Sequence, residues 1–246
     1  MSSEPEALPL DRLGRPPRIL LIRTSALGDV VHCLPTLGAL AAHRPEASLA
    51  WVVEDPFAPI LENHPALDRL IRVRLRRWRK RPFRPRTFRS IGRFLREMWD
   101  FRPDVALDLM GNHKAGVIAR LSGARWRIGA QRGDRREPSS ALWINRSVPL
   151  RGDHVVERTA TLLRAMGLPD PELGFDPGAI GELPTPEGSS GSLHTPVLIQ
   201  PGAGWGNKEY PPERWGRIAG TIVARSGRAV GVLAGPGEES LADRVV

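Results

Sequence analysis

The join at residues 18 to 32 constrains this chain most. The apolar run Arg18 to Ile22 stops at a small polar turn, Thr24 to Gly28, and a single acid, Asp29, follows. Ile19 to Ile22 is short, Leu-rich and β-branched, as a strand buried on both faces is. Gly28 permits a tight turn, after which Val31, Leu34, Leu37 and Leu40 recur at helical spacing. Strand, turn and helix in this order set Asp29 at the edge of a ligand crevice, because open parallel sheets bind ligands beyond the carboxyl ends of their strands. Asp is also a favoured N-cap residue, so spacing alone leaves capping open as its whole role.

The rest of the chain repeats the pattern. Leu49 to Glu54 and Asp104 to Met110 read as further buried strands, while Ile91, Phe94, Leu95 and Met98 share one helical face between them. Alternating strands and helices predict an α/β protein with a doubly wound parallel sheet. Val155, Val156, Ala160, Leu163 and Met166 form another apolar stripe, closed by Gly167, Leu168 and Pro169. Residues 1–168 are therefore expected to form one domain, and the Pro, Gly and Ser of residues 169–196 a linker. Beyond it, Val197 to Ile199 reads as a strand, Trp215, Ile218, Ala219 and Ile222 as a helix, Ala229 to Leu233 as a second strand and Glu238 onward as a second helix. Two such units are few for an open sheet, which usually has about four to six strands. Residues 197–246 are thus expected either to pack on the first domain or to open a longer polypeptide.

Composition excludes several classes. With 246 residues, 41% hydrophobic and 26% charged, the chain has the make-up of a globular protein with one or two cores. No apolar run approaches the roughly 20 residues that cross a bilayer, and the acidic start lacks the features of a secretory signal, so a cytoplasmic location is expected. Cys33 is the only cysteine, which excludes an internal disulfide, and no Cys/His spacing suggests a structural metal.

Charge is unevenly placed. Of a net +9, residues 69–102 hold 14 Lys or Arg against two acids, Glu97 and Asp100, leaving the remainder slightly acidic. Such a segment is either a solvated charged surface or the partner of an anion. Nucleic acid is the weaker candidate, because binding signatures are missing and Trp78, Phe83 and Phe88 make a thin stacking platform. An anionic membrane surface fits as well, since each basic residue near one contributes about 1 kcal/mol of attraction.

The turn Gln200 to Lys208 joins strand to helix, and its glycines would let backbone N–H groups approach a phosphate, with Lys208 adding charge. It lacks the Gly-Lys-Ser/Thr of a P-loop, which disfavours ATPase chemistry. A plain connector whose glycines tolerate unusual dihedrals is the simpler alternative. His32 could orient Asp29, and Trp143, Trp205 and Trp215 could stack on a sugar or base, though packing roles explain all four as well.

Taken together, Thr24 to Pro35, Thr-Ser-Ala-Leu-Gly-Asp-Val-Val-His-Cys-Leu-Pro, resembles the amino-terminal signature of the bacterial ADP-heptose:lipopolysaccharide heptosyltransferases, glycosyltransferase family 9. Trp51 to Glu54 with His64 and Pro65 resembles that family's second strand and following helix. Arg136-Glu137-Pro138 through Asn145-Arg146, and Val156-Glu157-Arg158-Thr159, resemble the type I enzymes in particular. The family's Asp-Thr-Gly-x-x-His motif, which helps to hold the sugar nucleotide, has no match here.

The resemblance implies a GT-B fold, two Rossmann-like domains of which the second is incomplete in this chain: an acceptor-binding domain (1–168) and the start of a nucleotide-sugar-binding domain (197–246). It implies an inverting, metal-independent transfer of heptose from ADP-heptose, without a further cofactor, to the Kdo/heptose inner core of lipopolysaccharide. Asp29 would be the general base and Lys208 would offset charge on the departing diphosphate. Ala203, Gly204 and Lys208 occupy the diphosphate positions and Glu238 the nucleoside position. Arg23 matches a basic position of the family and leads the acceptor candidates, with Ser25, Arg76, Arg77, Arg79 and Arg136 beside it. A Kdo-lipid A or heptosylated acceptor would bring the enzyme to the cytoplasmic face of the inner membrane. The competing expectation is a truncated, non-catalytic relative that binds anionic lipid or nucleic acid through residues 69–102.

Overall fold

The chain divides into two units, Met1–Gly181 and Glu182–Val246, each described here by itself. The computed structural model describes residues 7–168, 196–203, 206–235 and 237–245; the expected linker, apart from Pro196, lies outside these residues, as do Gly204 and Trp205.

The first unit runs β1 (Arg18–Ile22), α1 (Leu27–His32), α2 (Leu34–His43), β2 (Ser48–Glu54), β3 (Arg69–Val73), α3 (Leu75–Lys80), α4 (Pro85–Phe101), β4 (Val105–Asp108), α5 (His113–Leu121), β5 (Trp126–Ala130), β6 (Arg146–Val148) and α6 (Val155–Ala160). Its six strands are all parallel, in the order β3-β2-β1-β4-β5-β6. This is the doubly wound arrangement, with the direction of winding reversing between β1 and β4. Both faces of the sheet are covered. Ile19, Leu21, Trp51 and Leu107 pack with α2 on one side, while Leu20, Ile22, Val52 and Ala106 pack with α4 and α5 on the other. That is why β1 reads as an unbroken apolar run: neither of its faces meets water.

Local chemistry departs from simple periodicity in three places. The helix expected from Val31 to Leu40 is two helices, broken at Cys33, because Pro35 in the first turn of α2 has no N–H to donate back to Val31. The strand expected to reach Met110 stops at Asp108, whose own Oδ1 accepts the N–H groups of Met110 and Gly111 at 2.9 Å and turns the chain. The stripe from Val155 to Met166 is α-helical only to Ala160 and continues as a 3₁₀ turn to Met166 before Gly167.

In the second unit β7 (Val197–Ile199) pairs in parallel with β8 (Val230–Val232), connected by α7 (Pro212–Ser226), and α8 (Glu239–Asp243) follows. This reproduces the βαβ order read from the sequence.

Candidate active site

The reversal of winding between β1 and β4 opens a crevice at their carboxyl ends, and the polar residues that follow these two strands meet there. After β1 comes Arg23, whose side chain is only 11% exposed. Its Nη1 donates to the Leu109 carbonyl after β4 at 2.5 Å, and its Nη2 pairs with Asp29 Oδ2, also at 2.5 Å. Nε has no partner among the described residues. The guanidinium is thus anchored on one strand end and presents charge to the carboxylate of the next helix. The Arg23 carbonyl in turn accepts Trp51 Nε1–H at 3.1 Å, fixing the turn from beneath.

Asp29 closes the first turn of its helix and pairs with Arg23. Its Oδ2 accepts the Ala26 N–H at 3.2 Å, as a carboxylate in the first turn of a helix does, yet its side chain remains 40% exposed. The N-cap of α1 is Ala26, so Asp29 closes the turn from the third helical position and not as the N-cap residue itself. Ser25 sits half-buried in the same turn, where the Ser25–Ala26 peptide is cis. His32 does not reach Asp29: its ring lies edge-on to His154 with centroids 5.6 Å apart, and Arg23 does the orienting instead.

A second construction was not legible in the sequence. Asp108 and Arg135, both with fully buried side chains, pair at 2.5 Å, and Arg135 also donates to Ser140 Oγ at 2.8 Å and the Ala130 carbonyl at 3.2 Å. Removing one partner would leave an unpaired charge in the interior, which costs about 3–5 kcal/mol. Gly111, at φ 64°, lets the loop after β4 lie against this pair; a Cβ there would stand 3.3 Å from the Arg135 Cα and the Arg136 nitrogen. The result places Arg136 on the crevice. A cavity of about 270 Å³ is lined by Arg23, Asp108, Gly111, Arg135, Arg136 and Arg158, among others. Asp108 is spent on Arg135, and Arg158 lies 3.9 Å from Asp134. Arg136 is exposed and has no carboxylate partner among the described residues, so the cavity presents net positive charge to an anionic ligand.

The remaining acceptor candidates lie elsewhere. Arg76 is engaged by Glu54, whose Oε1 accepts the Arg76 N–H at 2.8 Å and whose Oε2 lies 3.5 Å from Nε. Arg77 lines a separate, larger cavity of about 670 Å³ beside α3 and α4, and Arg79 is exposed. The structure therefore pairs Asp29 with Arg23, sets Arg23 and Arg136 on one cavity and places Arg77 on another.

In the second unit Glu238 Oε2 accepts the Gly235 N–H at 2.9 Å and Gln200 Nε2–H at 3.3 Å. Gly202 is needed at this point, because a Cβ there would collide with the Glu238 carboxylate. Glu238 is thus clasped against the turn after β7. Ala203 is half-buried beside it and Lys208 is exposed at the end of a short 3₁₀ turn. Among the described residues no three His, Cys, Asp or Glu side chains converge on a metal position, and no helix is long and apolar enough to cross a membrane. Trp143 serves packing: it donates to His113 Nδ1 at 3.0 Å and lies against Gly116. Trp215 sits edge-on to Tyr210, with centroids 5.5 Å apart.

A doubly wound parallel unit with charged groups at its switch point, followed by a second βαβ unit with a glycine-rich turn, is the fold of the GT-B glycosyltransferases. Residues 90–245 match the model of glycosyltransferase family 9 (heptosyltransferase), and the chain belongs to this family. Lipopolysaccharide heptosyltransferase 1 of Pseudomonas aeruginosa is 34% identical over 211 residues, covering 85% of this chain and 58% of that protein. The protein of the same name from Escherichia coli K12 is 31% identical over 242 residues, 93% of this chain and 72% of that one. The solved structure of E. coli heptosyltransferase WaaC with ADP-2-deoxy-2-fluoro heptose superposes with a TM-score of 0.79 at 29% identity, covering 93% of this chain and 72% of that one.

Proposed function

We propose that this protein transfers heptose from ADP-heptose to the Kdo-containing inner core of lipopolysaccharide, as a type I enzyme. The observation that carries the reading is the Arg23–Asp29 pair at the switch point of a family 9 chain. Its relatives supply the substrate: two that span most of this chain are named lipopolysaccharide heptosyltransferase 1, and the WaaC structure holds an ADP-heptose analogue. These names favour transfer over the binding-only alternative.

In the proposed reaction an acceptor hydroxyl forms a bond to the anomeric carbon as the bond from that carbon to the diphosphate breaks. ADP leaves from the opposite face and the anomeric configuration inverts. Asp29 takes the hydroxyl proton. A carboxylate is a weak base at neutral pH, so it acts as the bond to the leaving group loosens and the hydroxyl becomes more acidic. Arg23 holds the carboxylate in place, and with Arg136 it meets the carboxylate and phosphate groups of the acceptor. On the second unit Lys208 offsets the charge that develops on the diphosphate, the turn holding Ala203 and Gly204 offers backbone N–H groups to it, and Glu238 binds the nucleoside. Ser25 contributes a hydroxyl on the acceptor side, and Arg77 and Arg79 meet its more distant anionic groups, while Arg76 is held by Glu54. The acceptor is carried by a lipid, which sets the enzyme at the cytoplasmic face of the inner membrane.

The test is ADP release from ADP-heptose with Kdo-lipid A as acceptor. Asp29→Asn should lower kcat about 100-fold or more while donor binding, followed by calorimetry, is retained. Turnover by the variant equal to wild type removes Asp29 as the base.

A further inference from the structure

The Arg-rich segment folds into β3, α3 and α4, and its charges are not equivalent. Those on and next to the sheet edge are satisfied: Arg72 pairs with Glu62, Arg74 with Asp55 and Arg76 with Glu54. Those on the α3–α4 connection and the first turns of α4 are not. Arg81, Arg84, Arg86 and Arg89 are exposed and have no carboxylate partner among the described residues. Along α4, Arg86, Arg89, Arg93 and Arg96 recur at i, i+3, i+7 and i+10, an exposed basic stripe beside the buried stripe of Thr87, Phe94, Met98 and Phe101.

Two large apolar side chains stand among these unpaired cations. Phe83 is 88% exposed in the connection and Phe88 is 61% exposed in the first turn of α4. Both are surplus to the core, which α4 already fills with Phe94, Met98 and Phe101. Trp78 is occupied, its Nε1 donating to Ser90 Oγ at 3.0 Å and its ring packing 5.7 Å from Phe94, and Trp99, 53% exposed near the far end of α4, donates its Nε1–H to the Leu121 carbonyl at 2.8 Å. At the α3–α4 end of the segment this leaves two exposed aromatic rings without a polar atom, Phe83 and Phe88, among exposed arginines. Nucleic acid asks for a stacking groove, whereas this pairing suits the boundary between lipid headgroups and acyl chains.

We propose that the α3–α4 hairpin seats this protein on an anionic phospholipid bilayer, Phe83 and Phe88 entering between the headgroups while Arg86, Arg89 and Arg93 hold lipid phosphates. The inference deepens, and rests on, the reading of a lipid-carried acceptor. It assigns the docking to side chains separate from the acceptor candidates.

The experiment is co-sedimentation of the intact protein with phosphatidylglycerol/phosphatidylethanolamine vesicles and with phosphatidylcholine vesicles, with far-UV circular dichroism confirming that each variant is folded. Wild type should pellet with the anionic vesicles only. Phe83→Ser/Phe88→Ser should weaken the partition about tenfold or more, through loss of apolar insertion. Arg86→Gln/Arg89→Gln/Arg93→Gln should weaken it comparably and flatten its fall between roughly 0.1 and 0.5 M salt. Equal pelleting with phosphatidylcholine overturns the proposal. So does a Phe double variant that binds like wild type, or retention of a single-stranded oligonucleotide in place of vesicles. The vesicles hold no sugar acceptor, so this result is independent of catalysis. Transfer to a de-acylated acceptor in solution should be unchanged in the Phe double variant, and failure of that transfer in wild type would strike the catalytic reading alone.

Discussion

Cys33 stands at the break between α1 and α2, directly behind the crevice. Burial pushes its thiol up from about 9 to about 12, with the Asp29 carboxylate acting in the same sense and Arg23 and the Thr159 hydrogen bond partly opposing them. The folded state therefore holds the proton more tightly than the unfolded chain. The stabilisation is complete below pH 9 and is lost as pH rises from about 9 to about 12, at roughly 1.4 kcal/mol per pH unit. Urea midpoints of wild type and Cys33→Ala, measured at about pH 8 and about pH 10.5, should show the wild-type advantage shrinking at the higher pH. At the lower pH an aromatic disulfide reagent should label Cys33 only as the protein unfolds. At this same scale the sequence disclosed Asp29 and Arg23, because they lie close together in one turn. It hid the Asp108–Arg135 pair, whose partners are 27 residues apart and meet only when the loop after β4 folds against the segment after β5. Arg136-Glu137-Pro138 was visible as a motif, but its work is divided. Glu137 Oε2 accepts the His113 N–H at 2.8 Å and so pins α5, leaving Arg136 to face the crevice.

Elements were legible in proportion to their burial. β1, β2 and β4 are sealed on both faces and announce themselves as apolar runs. β3 is an edge strand whose Arg69 and Arg72 point to water, β5 carries Arg127 and Gly129, and β6 has only three residues, so none of them rises above the surrounding polar sequence. β6 is held by a side chain as much as by pairing: Asn145 Oδ1 accepts the Arg127 N–H at 2.7 Å and its Nδ2 donates to the Arg125 carbonyl at 2.9 Å. α3 is a short helix with no buried residue, and its start is fastened from outside by Glu54, itself only 4% exposed at the end of β2. Glu54→Ala should remove that cap, weakening α3 by about 1 kcal/mol. Hydrogen exchange at the amides of Trp78 to Arg81 should accelerate several-fold while α4 near Met98 is unmoved. Equal protection of both would show that α3 is fixed by other contacts.

At the scale of the molecule, the chain spans 58% of the length of its P. aeruginosa relative, and its second unit contributes two strands to the described structure. The division into a larger and a smaller unit follows from where the apolar runs lie, and the crevice of the first follows from the order of its strands. That order also has a consequence during synthesis. β1 leaves the ribosome first, yet it belongs at the centre of its sheet. Its edge toward β2 closes early, whereas its other edge waits until Val105 to Asp108 has been made. A nascent chain halted at Phe101 therefore displays an open, wholly apolar strand edge and should aggregate or recruit a holding chaperone, while one halted at Leu168 should be soluble. Sedimentation of the two fragments after cell-free translation would distinguish them. The apolar β1 that supports the site after folding is thus the strand most in need of protection while the polypeptide is still being made.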